Sequence, residues 1–380
     1  MEMVIGVKFV EIETFAPGRV ELLGNHTDYN MGFVLSASID LGVTVRGERL
    51  ADRIILASER EREGIDLRLS TSEVSRQGSW VDYPLGVYQV LREAGYPVAG
   101  FRAIFRSNLP VGAGLSSSAA IEVGTALLLC GLCGFGFARM ELAKLCRQAE
   151  NEFVGVSCGL LDQVSSIFGR RDHVIFLDCQ SEVVDLIRIP EDFAFLVVHS
   201  GVGHKLTGGE YNNRKAACFE AARRLGLGSL REASSAIVKG SELPEELRRR
   251  ALHITGENER VRQAVEALRR GQVQELGDLM TRSHLSSGEN FENSTPELDL
   301  LVEIALKQKG VYGARLTGGG FGGAIVALLE ESCLSQAADE IVREYFKKTG
   351  HAGRVIACRV GDGARILSHG QFPGCEEWMN

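Results

Sequence analysis

Apolar positions along the chain follow two rhythms. Residues 4–12 and 33–46 alternate or run apolar with β-branched side chains, which predicts strands, and they flank Ala16–Asn30, where polar side chains crowd between apolar arms. A strand at 53–57, a helix at 81–94 and a strand at 101–106 follow. The rhythm then turns helical at 116–133 and at 139–153, the latter with Leu142, Leu145, Cys146 and Ala149 on one face. After strands at 173–178 and 194–199, helices are predicted at 211–225, 257–270, 273–286 and 296–308. Strands at 311–316 and 324–329 enclose a glycine-rich turn, and a helix (333–347) and a strand (353–360) close the chain. A boundary near 180–192 divides the chain into domains 1–185 and 186–380. Arginine runs such as Arg248-Arg249-Arg250 read as solvated helix faces.

A chain of 380 residues, 44% of them hydrophobic, has enough apolar surface for two cores. The net charge of −8 argues against a nucleic-acid surface, and no apolar run approaches the ~20 residues that span a membrane. The first residues lack the layout of a signal peptide. Nine cysteines, an odd number scattered along the chain, read as reduced thiols in a cytoplasmic protein. The pair Cys130 and Cys133 has metal-like spacing but sits in an apolar helix, so core packing is its expected role.

Composition leaves the chemistry open, and two glycine-rich stretches narrow it. Leu109–Ala120 places glycines before three consecutive serines and an apolar helix, so backbone N–H groups and a helix N-terminus can meet an anion. It lacks the lysine of a Walker loop and the third glycine of a dinucleotide fingerprint. A triphosphate here would therefore need the helix dipole, a metal ion and cations from elsewhere. Taken alone, such a stretch is more often an ordinary turn with an N-cap. Leu316–Gly323 carries so many glycines that either the backbone repeatedly takes positive φ or something lies directly against it.

Six stretches together resemble the GHMP small-molecule kinases, and within them the galactokinases: Gly18–Asn30, Leu109–Ala120, Cys158–Gln163, Glu210-Tyr211 with Arg214, Ser294–Asp299 and Leu316–Gly323. The resemblance implies a two-domain α/β (α+β) fold of mixed sheets with helical layers and the active site in the interdomain cleft. It implies ATP and Mg²⁺ as cofactors and transfer of the γ-phosphoryl group to the anomeric hydroxyl of galactose or a close relative. A sugar and ATP are the expected partners, with no nucleic acid or membrane, in a monomer or weak homodimer. Carried over by residue, Gly112, Ala113, Gly114, Leu115, Ser116, Ser117 and Ser118 hold the triphosphate, and Ser118 and Glu150 bind the metal. Asp162 takes the proton, and Arg19 steadies the phosphoryl group. Asn25, His26, Thr27, Asp28 and Tyr211 meet the sugar. An acid facing an arginine is expected to be ionised, which suits a base.

Two departures stand out. Asn25 occupies a position where galactokinases normally have a glutamate that accepts from the C6 hydroxyl. Either the asparagine still binds galactose, or the pocket suits a sugar altered at C6, such as galacturonate or L-arabinose. The resemblance also leaves room for a non-catalytic sugar-sensing regulator, although the serine run, Arg19 and Asp162 are all intact. Ser286–Phe291 is the second departure, and the sequence offers no role for it.

Overall fold

A computed structural model describes residues 11–61, 64–69, 74–110, 112–202, 209–368 and 375–378. Most of the predicted strand at 4–12 and Val111 of the serine loop lie outside them. The elements run β1 (Glu11–Leu23), β2 (Phe33–Leu50), β3 (Arg53–Ser58), β4 (Ile65–Arg68), α1 (Asp82–Glu93), β5 (Gly100–Ser107), α2 (Ser117–Cys133), α3 (Arg139–Gln148) and α4 (Leu161–Phe168). There follow β6 (His173–Asp178), β7 (Val183–Arg188), β8 (Phe193–His199), α5 (Gly209–Arg224), α6 (Ser235–Lys239), α7 (Glu245–Arg269), α8 (Val273–Ser286) and α9 (Pro296–Leu306). The last are β9 (Val311–Thr317), β10 (Ala324–Glu330), α10 (Leu334–Thr349), β11 (Arg354–Cys358) and β12 (Arg365–Ile366).

Two mixed α/β layers result. The first sheet is ordered β12-β1-β2-β5-β3-β4, with β6 and β7 branching from the start of β2. Long β2 makes the branch possible: Phe33–Ser36 pair with β6, and Val43–Leu50 pair with β5. Among the described residues only β3 and β5 pair in parallel; the other pairs of this sheet are antiparallel. Helix α2, apolar on nearly every side, is buried against β1 and β2, with Leu127, Leu128 and Leu129 fully enclosed. Each such leucine contributes roughly 1.5–3 kcal/mol by its burial. The second sheet, β11-β8-β10-β9, is antiparallel and covered on both faces, which explains its unbroken apolar runs. Leu196, Val198, Ile325 and Ala327 join a core with α9 and α10, while alternate residues Phe195, Val197, Val326 and Leu328 join the main core with α8.

Five expectations change. The first strand does not end near residue 12: β1 continues to Leu23, so only the remainder of 16–30 turns. Helix α7 begins at Glu245 rather than 257, since the charged residues on either side of Leu247 mask a face carrying Ala251 and Ile254. That shift turns Arg250 inward, 2% exposed, so it is no solvated arginine. The expected boundary contains β7, a strand paired with β6. Finally, Cys130 and Cys375 form a disulfide, correcting the expectation of reduced thiols throughout; the two lie far apart in sequence, and folding alone brings them together.

Candidate active site

Strand β1 brings Arg19 to the sheet's end, and its guanidinium binds on two sides. Nε and Nη2 hold Asp162 Oδ1 at 2.8 and 2.7 Å, while Nη1 donates to the Gly114 carbonyl at 2.6 Å. One side chain therefore joins the acid at the start of α4 to the serine loop. Asp162 Oδ2 has no partner among the described residues, and Asp162 lines a cavity.

The serine loop turns through left-handed residues, Gly112 (φ 73°), Gly114 (φ 67°) and Ser116 (φ 56°), and delivers the uncapped N-terminus of α2. Ser116 Oγ is buried without a partner, as a donor site awaiting a ligand would be. Ser118, the second residue of the helix, stands beside Glu150 and favours its charged form. Glu150 sits in a π-helical turn, Ala149–Val154, that follows α3, and π-turns recur at functional sites. Burial and the charge of Asp162 push the Glu150 carboxyl above its usual range. Gln163 Nε2 bridges Glu150 Oε2 at 2.8 Å and the buried Glu122 Oε2 at 3.0 Å.

Opposite this wall stands a turn stitched to the second half of the chain. Glu257 of α7 accepts the backbone N–H groups of Gly24 (2.7 Å) and Asn25 (2.9 Å). Burial alone would raise the Glu257 carboxyl, yet Arg260, His253 and Arg315 hold it well below its usual range. Asn25 donates to Glu21 Oε1 (3.0 Å) and the Gly318 carbonyl (2.9 Å), and accepts from Asn293 (2.9 Å). His26 Nε2 faces the Gly319 carbonyl at 3.0 Å, so it must donate; its Nδ1 then accepts from Tyr29 Oη at 2.9 Å. Burial pushes the His26 pKa down to about 4, which makes it the neutral tautomer at pH 7. Asp28 accepts from the Tyr29 N–H at 2.8 Å, and its pKa is pushed up to about 6 by burial, with Glu21 and Asp162 adding. Gly159 makes room for it: a Cβ there would stand 2.0 Å from Asp28 Oδ2.

These walls enclose about 640 Å³, lined by Arg19, Glu21, Asn25, His26, Asp28, Glu150, Asp162, Tyr211 and the turn Gly318–Phe321. A more open groove of about 820 Å³ beside Asp185–Asp192 gathers no comparable set of convergent polar groups. Among the expected residues, Thr27 does not line the cavity: its hydroxyl points at the Gly24 and Phe33 carbonyls, 2.7 and 2.6 Å away, and braces the turn. The serine loop stands at the cavity's mouth through Arg19. Sequence reading missed Glu21, Glu257, Asn293 and Glu122. An acid between Val20 and Leu22 was the available signal for Glu21.

Ser286–Phe291 also acquires a role. Ser287–Phe291 form a π-helical turn after α8 whose carbonyls are gripped by Arg249, Arg250 and Arg214, and Phe291 stacks 4.5 Å from both His26 and His253. The segment is the support beneath the Asn25–His26 turn.

Three family models match the chain: the N-terminal domain of GHMP kinases over residues 82–170, the C-terminal domain over 264–348, and the galactokinase galactose-binding signature over 5–49. A galactokinase of Pyrococcus furiosus is 38% identical over 356 residues, covering 94% of this chain and 99% of its own. One from Canis lupus familiaris is 40% identical over 368 residues, covering 94% and 92%. Lactococcus lactis galactokinase complexed with galactose superposes with a TM-score of 0.89 at 32% identity, covering 95% and 96%. Methanococcus jannaschii mevalonate kinase, at 22% identity and a TM-score of 0.64, shares the fold.

Proposed function

Because this chain belongs to the galactokinases of the GHMP kinase family, we infer that it catalyses ATP-dependent phosphorylation of galactose at the anomeric hydroxyl. The observation that carries the assignment of residues is Arg19, which holds Asp162 on one side and Gly114 of the serine loop on the other. A sugar in the cavity and a phosphate at the loop would meet at that side chain.

Asp162 accepts the proton of the anomeric hydroxyl through its free Oδ2, while Arg19 keeps the carboxylate oriented and places positive charge beside the phosphoryl group. Gly112–Ser118 and the N-terminus of α2 receive the triphosphate through backbone N–H groups. Ser118 and Glu150 fit Mg²⁺, since both are hard oxygen donors standing side by side at the start of α2. No cluster of three metal-binding side chains occurs among the described residues, and this matches an ion that takes few protein ligands and completes its shell with phosphate and water. When bound, the ion neutralises phosphate charge. Asn25, His26, Asp28 and Tyr211 form the sugar wall, with Thr27 behind it.

The galacturonate and L-arabinose alternatives and the non-catalytic regulator find no support among the relatives. Galacturonate also meets a physical objection. Replacing glutamate by Asn25 does not empty the cavity of carboxylates: Glu21, Asp28, Glu150 and Asp162 line it against Arg19 alone, so an anionic sugar would be repelled. Galactose-dependent ADP release tests the reading directly. Asp162→Asn should cut kcat by ~100-fold or more, the scale of general-base loss; normal turnover would remove Asp162 from the mechanism.

A further inference from the structure

Position 25 and position 21 form one hydrogen-bonded pair, and the acid of the pair is Glu21. Arg19, Val20 and Glu21 pair regularly with Ser38, Ala37 and Ser36, so Arg19 and Glu21 point to the same side of β1, about 7 Å apart along the strand. Glu21 thus stands on the cavity wall one step removed from the reacting end. Its Oε1 is fully engaged, accepting from Asn25 Nδ2 at 3.0 Å and Arg315 Nη1 at 3.3 Å. Both of these bonds use Oε1, Oε2 has no hydrogen-bond partner among the described residues, and Glu21 lines the cavity although its side chain is only 5% exposed. The surroundings fix this asymmetry. Arg315 is buried completely, and Glu21 is its acidic partner. Both amide hydrogens of Asn25 are committed, to Glu21 and to Gly318. A carboxylate locked by one oxygen, with the other free in a ligand cavity, is an acceptor prepared for a hydroxyl.

Resting on the galactokinase reading, we propose that Glu21 Oε2 accepts a hydrogen bond from one of the non-anomeric hydroxyls of galactose and is a specificity-determining residue of this enzyme. Asn25 is then the positioning residue that turns Glu21 towards the sugar. Glu21→Gln inverts the polarity of the site while keeping its shape. Arg315 and Asn25 both donate, so the new amide must give them its oxygen, leaving its NH₂ in the cavity where an acceptor stood.

The test is a cycle of kcat/KM values for galactose and its 2-, 3-, 4- and 6-deoxy analogues on the wild type and Glu21→Gln. One analogue should lose about 10-fold on the wild type, the scale of a charged hydrogen bond, and that loss should shrink at least ~5-fold in the variant, with KM for ATP unchanged. Glu21→Asp gives the second arm, because it keeps a negative charge near Arg315 but draws both oxygens back from the cavity; it should lose the same selectivity while remaining folded in a thermal melt. If Glu21 merely neutralises Arg315, galactose-to-deoxygalactose ratios will be identical in all three proteins, and the assignment is overturned. A wild type inactive on galactose would sink the underlying reading; an active one with unchanged ratios would sink this assignment alone.

Discussion

Replacing Asp28 by asparagine should yield a protein that is more stable and poorer at using galactose. Burial raises the Asp28 pKa to about 6 from an ordinary value of 3.8, with Glu21 and Asp162 adding and the Tyr29 N–H and Lys215 opposing. The raised value means the native state holds its proton more tightly than the unfolded chain does. The stability this contributes is complete below pH ~4 and is lost as pH rises through ~6. At pH 7 the cost of keeping the carboxylate is about 3 kcal/mol, and at pH 5 it is about 1.6 kcal/mol. Asparagine retains an acceptor for the Tyr29 N–H and never ionises. Unfolding a chain of this length carries an entropy of about 0.8 kcal/mol per kelvin, so the variant should melt ~4 °C higher at pH 7 and ~2 °C higher at pH 5. Differential scanning calorimetry at the two pH values, with and without galactose, reads both effects, and the sugar-induced rise in Tm should shrink in the variant. An advantage that is the same at both pH values, or absent at pH 7, would refute the argument that Asp28 is held charged at a cost for the ligand's benefit.

Gly159→Ala puts a methyl 2.0 Å from Asp28 Oδ2, so KM for galactose should rise about 10-fold while KM for ATP stays level in steady-state assays. Thr27→Val should lower stability by about 1–3 kcal/mol in urea titrations and leave kcat near wild type, because its hydroxyl serves the carbonyls of Gly24 and Phe33; a loss of galactose affinity without a loss of stability would instead put Thr27 on the sugar. Glu257→Gln removes the charge that faces Arg260 and caps two backbone N–H groups. It should cost about 3–5 kcal/mol in the same titration, and the wild type's own stability at this site should decline only towards strongly acid pH, since the folded carboxyl is held well below its usual range.

What could be read from residues alone follows a physical divide. Local features were legible: the apolar rhythm of β2, α2 and the second sheet, and the glycine-serine turn feeding a helix. Partnerships across long separations were not, because nothing in the spacing of Arg19 and Asp162 says they meet; the family resemblance suggested the pair and folding joins it over 143 positions. Buried charges were least legible. Glu257 and Arg250 look like ordinary polar helix residues, and only the packing of α7 beneath the Asn25 turn makes them internal. Asn25 was misleading for the same reason: read by itself it suggested a missing carboxylate, whereas the fold restores one from Glu21 four residues earlier.

The short strand β12 has a practical meaning for handling the protein. Its two residues pair with Thr14 and Phe15, and further along Cys375 is tied to Cys130 of α2 and Trp378 is buried. Strand β1 would otherwise present a bare ladder of amides at the sheet's rim, while the opposite rim, β4, is short and carries Asp66 and Arg68. A shortened gene product ending before Arg365 is therefore expected to clump during expression, through rim-to-rim pairing of neighbouring copies, even though every residue of the proposed site is still present.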